Sequence, residues 1–272
     1  MNYRHAFHAG NHTEVFKHAA LVEVLRRLME KPKPVMVLDT HAGPGIYDLG
    51  SEEASRTGEA SSGIMSVLGR LKGHAAAYAS LVAAHLERGN YPGSPAIVAD
   101  LLRVGDRSVA CELHPADAEI LRRNFLGDRR VATHHRDGYE ALTAFVPPPE
   151  RRGLVFVDPP FEDRDEAGRM GRRLSAAVKK WPTGTYMAWY PVKRPGTREA
   201  ILDGLLSPHV PDCLWAEFLR FPPDGVRLAG SGLILINAPW RFDDTLRGLG
   251  ADVSEAFGMG TDIRVEWAVP PR

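Results

Sequence analysis

Asp158-Pro159-Pro160-Phe161 follows the apolar run Leu154-Val155-Phe156-Val157. At average composition, an Asp/Asn/Ser-Pro-Pro-aromatic string turns up in roughly one chain in a hundred of this length. Two prolines stiffen the turn and remove two amide donors, so the segment offers acceptors only. A carboxylate, a fixed carbonyl and an aromatic face at the end of a buried strand suit a planar base bearing an exocyclic amine. A second candidate is Asp39-Thr40-His41-Ala42-Gly43-Pro44-Gly45, after Val35-Met36-Val37-Leu38. Its glycines allow positive φ and close approach of backbone to a nucleotide, although a plain strand-to-helix turn would use the same residues. A ribose needs an acceptor at the end of the next strand, normally ~20 residues later. Nothing at that distance fits. Glu112, after Ser108-Val109-Ala110-Cys111, fits once a helical insertion is discounted, with an exposed strand-end acid as the alternative.

The elements that must position these groups follow from the pattern of short apolar runs. Val35–Leu38, Ser108–Cys111, Val131–Thr133, Leu154–Val157, Thr185–Trp189, Leu214–Phe221 and Leu233–Ile236 alternate with helical stretches. That alternation predicts an α/β fold with a mostly parallel, seven-stranded sheet. Asn11–Glu30 reads as a helix with an apolar stripe of Leu21, Val22, Leu25, Leu28 and Met29, ended by Pro32 and Pro34. Residues 51–103 read as an inserted helical subdomain with no strand of its own; residues 1–50 and 104–272 form the main domain. Within the insertion, Ser94 followed by Pro95 reads as a capping hydroxyl and a first-turn proline.

The composition excludes several classes. The 272 residues carry 34 Lys+Arg against 34 Asp+Glu, so indiscriminate nucleic-acid binding is not expected. Mean hydropathy is −0.24, and no apolar run approaches the ~20 residues that span a bilayer. The N-terminus lacks the apolar stretch of a signal peptide, so a cytoplasmic protein is expected. Cys111 and Cys213 form no CxxC pair. Charge is nevertheless uneven: Arg169, Arg172, Arg173, Lys179, Lys180, Lys193, Arg194 and Arg198 fall in a stretch with no acid. That is either a solvated helix face with a basic loop or a phosphate-facing patch. Trp189 and Tyr190, next to Lys193 and Arg194, could receive splayed nucleotides, or Trp189 could be core. His8, His12 and His18 could be read as metal ligands, but no H-E-x-x-H is present, and no metal is expected.

The Asp-Pro-Pro-aromatic turn resembles that of S-adenosylmethionine-dependent methyltransferases acting on adenine N6. Nearly the whole chain resembles one family, the RlmJ adenine-N6 methyltransferases of 23S ribosomal RNA. The resemblance is carried by Tyr3-Arg4-His5-Ala6-Phe7-His8-Ala9-Gly10-Asn11-His12, Lys17-His18 and Leu38-Asp39-Thr40-His41-Ala42-Gly43. It continues through Arg56-Thr57-Gly58-Glu59, Tyr91-Pro92-Gly93-Ser94-Pro95, Glu112-Leu113-His114-Pro115, Asp137-Gly138, Trp189-Tyr190-Pro191-Val192, Ser231-Gly232 and Pro239-Trp240.

The resemblance implies a Rossmann-like methyltransferase fold with a small helical subdomain inserted after the first strand. It implies S-adenosylmethionine as cofactor, leaving as S-adenosylhomocysteine, with contacts from His18, His41, Ser94, Glu112, Asp137, Gly138 and Asp158. Tyr3 matches the family's substrate-contacting residue, and Arg4, Lys17 and Phe161 join it as expected substrate contacts. Phe161 departs from the family's usual Tyr; stacking survives, but any role of a phenolic hydroxyl is lost. On this basis Asp158 and the Pro159 carbonyl are expected to accept the hydrogens of the adenine amine, with Asp158 as proton acceptor and Phe161 as a stacking face. The expected partner is 23S rRNA, protein-free or in an early assembly form, and the expected state is a monomer. The alternatives are a DNA adenine-N6 methyltransferase and a non-catalytic ribosome-assembly factor; an NAD-dependent dehydrogenase is disfavoured by the missing third glycine.

Overall fold

The computed structural model describes residues 9–49, 58–258 and 263–271. Its strands are β1 (Met36–Asp39), β2 (Ile46–Tyr47), β3 (Tyr91–Pro92), β4 (Arg107–Glu112), β5 (Val131–His135), β6 (Gly153–Val157), β7 (Thr185–Val192), β8 (Cys213–Leu219), β9 (Gly230–Ile236) and β10 (Ile263–Val269). Eight of them form one sheet in the order β10-β8-β9-β7-β6-β1-β4-β5. The pairs linking β5, β4, β1, β6 and β7 are parallel; β9 and β10 join antiparallel to their neighbours.

The expected class is borne out, with one more strand than the seven expected. The eighth, Ile-Arg-Val-Glu-Trp-Ala-Val, is an edge strand that alternates apolar and charged residues and is mostly half-exposed. It therefore lacks the continuous apolar run that betrays the inner strands.

Alternation along the strands distributes side chains between two cores. Val37, Ala110, Leu154, Phe156, Met187 and Trp189 face one layer, packed with helix α1 (His12–Met29), α3 (Ser94–Leu101) and α8 (Phe242–Ala256). Met36, Leu38, Val155, Val157, Tyr186 and Ala188 face the other, packed with α5 (Gly138–Ala144), α6 (Glu166–Lys180) and α7 (Thr197–Leu205). The remaining long helices are α2 (Ala76–Glu87) and α4 (Pro115–Phe125).

Helix α1 starts at Asn11, whose side-chain oxygen accepts from the amides of Thr13 and Glu14 at 3.0 and 2.9 Å. The start of α1 also anchors the insertion: Ile64 N donates to Gly10 O at 2.8 Å, and Asn11 Nδ2 donates to Glu59 Oε2 at 3.0 Å. Gly63 packs so tightly on Gly10 and Asn11 that a side chain there would strike their backbone.

The insertion does carry a strand, contrary to the all-helical expectation. Tyr91–Pro92 pairs antiparallel with Ile46–Tyr47, and Gly93 N donates to Gly45 O at 2.9 Å. This ribbon ties the return of the insertion to the exit of the glycine loop. A Cβ on Gly93 would come within 2.8 Å of the Tyr47 ring, which accounts for glycine before Ser94. Ser94 is not the cap of α3; Gly93 occupies that position, and the Ser94 hydroxyl points elsewhere.

Candidate active site

Side chains two positions beyond a core residue share its face of the sheet. Asp39 follows Val37 and Asp158 follows Phe156, so both carboxylates lie on the α1 face, at the carboxyl ends of β1 and β6. Helix α1 answers with Lys17. Its Nζ donates to Asp158 Oδ2 at 2.5 Å, lies 3.6 Å from Glu14 Oε1, and sits 5.0 Å from the centre of the Trp189 ring. Lys17 and Asp158 are only 4% and 6% exposed, so the pair is desolvated. Burial by itself would lower the Lys17 pKa; the Asp158 charge and then Glu14 outweigh it and raise the pKa. Glu14 is fixed in turn by the Gly10 amide, which donates to Oε2 at 2.7 Å.

Asp39 is fully buried and accepts from Ser94 Oγ at 2.6 Å and from His41 N at 3.3 Å. Burial pushes its pKa up to about 7, opposed by the Ser94 hydrogen bond and reinforced by the Asp158 charge. The Ser94 hydroxyl thus donates across the sheet edge rather than accepting from its own helix.

On the far side of the glycine loop, Glu112 is 5% exposed. It accepts from Gly43 N at 2.8 Å through Oε2 and from His114 N at 2.7 Å through Oε1. Burial raises its pKa, and those two amides work against the rise. Asp137 caps α5, accepting from Tyr139 N at 2.7 Å. Gly138 is required at the next position, because a Cβ there would meet the Thr40 carbonyl and stand 2.9 Å from the His41 ring.

His41, Glu112, Asp117, Asp137, Gly138 and Pro160 line one cavity at the carboxyl ends of β1, β4, β5 and β6. The His41 ring stands edge-on to Tyr139, 5.3 Å between centres, and Thr40 Oγ1 lies 2.8 Å from its Nδ1. Tyr139 also hydrogen-bonds Glu166, which Arg169 pairs at 2.5 Å. Acceptors on one wall and bare backbone at Gly138 fit a nucleoside, whose ribose hydroxyls and base amine are donors.

The fold therefore brings His41, Glu112, Asp137 and Gly138 to one cavity, and Lys17, Asp158 and, through Asp39, Ser94 to the adjoining corner. A ribosomal RNA large subunit methyltransferase family, described as methyltransferase D, RlmJ, matches residues 32–269. This chain belongs to that family. It is 36% identical over 99% of both chains to ribosomal RNA large subunit methyltransferase J of Haemophilus influenzae. It is 37% identical, again over 99% of both, to the protein of that name from Escherichia coli. A Legionella pneumophila protein of known crystal structure superposes with a TM-score of 0.85 at 32% identity, covering 95% of this chain and 98% of that one.

The RlmJ-family chain departs from several residue-level expectations. Lys17, expected as a substrate contact, is a buried partner of Asp158, because it projects from the core face of α1. His18 lies deeper still, 2% exposed beside Glu14 and with its ring 6.3 Å from that of Tyr78. Trp189 and Tyr190 are buried in β7, held by Ser231 Oγ at 2.8 Å and Glu217 Oε1 at 3.0 Å, so neither receives a nucleotide. Phe161 adopts a positive φ of 52° and sets its half-buried ring edge-on to Trp189 at 6.0 Å. Pro159 is buried and Pro160 half-buried. Tyr3, Arg4 and His8 lie outside the described residues. Asp39, Glu14 and Tyr139 were not foreseen; for Asp39, the residue parity of β1 was the available signal.

Proposed function

We propose that the protein transfers a methyl group from S-adenosylmethionine to N6 of an adenine in 23S rRNA. The observation that carries this reading is the buried Lys17–Asp158 pair at an acceptor-only turn, two residues before Pro160 in the wall of the Glu112 and Asp137 cavity. When bound, S-adenosylmethionine supplies an electrophilic methyl group on a sulfonium sulfur. Glu112 holds the ribose hydroxyls, Asp137 accepts from the cofactor's adenine amine, and His41 and Gly138 form the remaining wall. Ser94 reaches Asp39 at the Asp158 corner, which makes the insertion part of the site rather than an appendage.

The adenine amine is a weak nucleophile, since its lone pair is delocalised into the ring. Lys17 occupies Asp158 Oδ2, and among the described residues no donor engages Oδ1. Oδ1 and the Pro159 carbonyl accept the two amine hydrogens and turn the lone pair toward the methyl group. Were N6 to take the methyl group, with the carbon–sulfur bond breaking to leave S-adenosylhomocysteine, the nitrogen would become cationic and Asp158 would take the proton that leaves. Fixed acceptors aimed at charge that develops only in the transition state are worth several kcal/mol. A base reaching this corner must leave its stack, and Phe161 offers a replacement face.

The test is incubation with methyl-labelled S-adenosylmethionine and protein-free 23S rRNA, followed by nucleoside digestion. Label in N6-methyladenosine is expected; label in another nucleoside, or none in the RNA, overturns the assignment.

A further inference from the structure

The basic stretch between Ala167 and Arg198 is sorted by the fold into engaged and unengaged cations. Arg169 pairs with Glu166 at 2.5 Å, Arg172 with Asp165 at 2.7 Å, and Arg198 with Glu199 at 2.6 Å and Glu217 at 3.1 Å. Lys180 donates to the Thr143 carbonyl at 2.5 Å. Arg173, Lys179, Lys193 and Arg194 have no acidic partner among the described residues. A paired guanidinium must release its carboxylate before it can hold a phosphate, whereas an unpaired cation need not.

Two of the four unpaired cations sit beside the site. Lys193 and Arg194 follow β7 and line a groove with Phe161, Arg164, Ala167 and Pro191. Arg164, exposed and outside the basic stretch, likewise has no acidic partner among the described residues. The groove adjoins the cofactor cavity through Glu162 and Asp163, which line both. Those two acids form a ridge, with Asp163 4.0 Å from Arg169, that disfavours phosphate on the cofactor side. On its other side the groove runs past Pro191 and Thr197 into the depression above Arg198 and Glu217.

We infer that this groove, between residues 161–164 and 191–197, carries the RNA strand flanking the extruded adenine, with Arg164, Lys193 and Arg194 holding its phosphates. The inference rests on the activity proposed above and adds to it the route of the substrate. Continuity with the Asp158 corner supplies direction: the groove passes Phe161, so a base swung from the strand reaches the acceptor turn. Binding is through the backbone, since Trp189 and Tyr190 are buried and Phe161 is the one aromatic among the described residues that line this groove.

The experiment compares parent, Lys193→Ala/Arg194→Ala and the control Arg173→Ala/Lys179→Ala on protein-free 23S rRNA. The groove variant should raise KM for RNA severalfold, with S-adenosylhomocysteine affinity unchanged. Its plot of log binding constant against log salt should be shallower by about 1.4, at about 0.7 per phosphate contact on a single strand. The control should match the parent. Equal KM and equal salt slope in groove variant and parent overturn the route while leaving the activity standing. Equal losses in both variants overturn it as well, since they would show a diffuse charge effect. A parent that methylates nothing in the RNA overturns the activity and the route together.

Discussion

At the scale of residues, the corner at the ends of β1 and β6 rests on two buried carboxylates held by different means. Asp158 has an ion pair; Lys17→Met would leave it buried and uncompensated. Such a change should destabilise the protein by about 3–5 kcal/mol in chemical denaturation, and a loss below about 1 kcal/mol would show that the pair is not structurally coupled. Asp39 has hydrogen bonds instead, and its pKa lies at about 7 against an ordinary 3.8. Because the folded value is raised, the protonated form is the one the interior favours. Stability from this group is complete below the ordinary value and drains away as pH rises from about 4 through about 7, by a few kcal/mol in all. Thermal melts of the ligand-free protein should therefore fall in midpoint between about pH 4 and pH 7. Asp39→Asn should flatten that slope, and an unchanged slope would assign the effect to another group.

At the scale of elements, the parallel strands and their loops were legible because each inner strand is a continuous apolar run ended by a chemically unusual turn. Glu112 was legible by position, since the insertion accounts for its delay. Edge strand β10 was not, because its charged residues break the apolar run. Nor was the role of Ser94, whose sequence context matches a helix cap while its partner is Asp39, 55 residues away. Lys17 was misplaced for the same reason: its partner lies 141 residues along the chain, and only the packing of α1 on the sheet joins them. Residue parity on β1 and β6 would have put Asp39 and Asp158 on one face, but it does not say which helix covers that face. The packing of α6 on α7 gives an element-scale prediction. Gly171 touches the Ile201 carbonyl and Gly204, so a Cβ there would force the helices apart. Gly171→Ala should cost about 1–3 kcal/mol and lower the melting midpoint by several degrees. Gly69→Ala, with open space around it, should not.

At the scale of the whole molecule, a chain of zero formal charge concentrates its chemistry on the carboxyl edge of one sheet. Among the described residues no helix is long and apolar enough to cross a membrane. The glycine loop, Glu112, Asp137 and the Asp158 turn come from four adjacent strands, so a ligand that binds there bridges them and stabilises the fold as a unit. S-adenosylhomocysteine at a hundredfold excess over its Kd should add about 2.7 kcal/mol to stability; NAD should add nothing, and equal shifts from both would undo the cofactor assignment. The sharpest test is the single-turnover rate of methyl transfer to 23S rRNA with S-adenosylmethionine already bound, in the parent and in Asp158→Asn. Loss of the anionic acceptor should slow transfer by about 100-fold or more with both proteins saturated in S-adenosylmethionine; a variant rate within a few-fold of the parent would contradict the acceptor role.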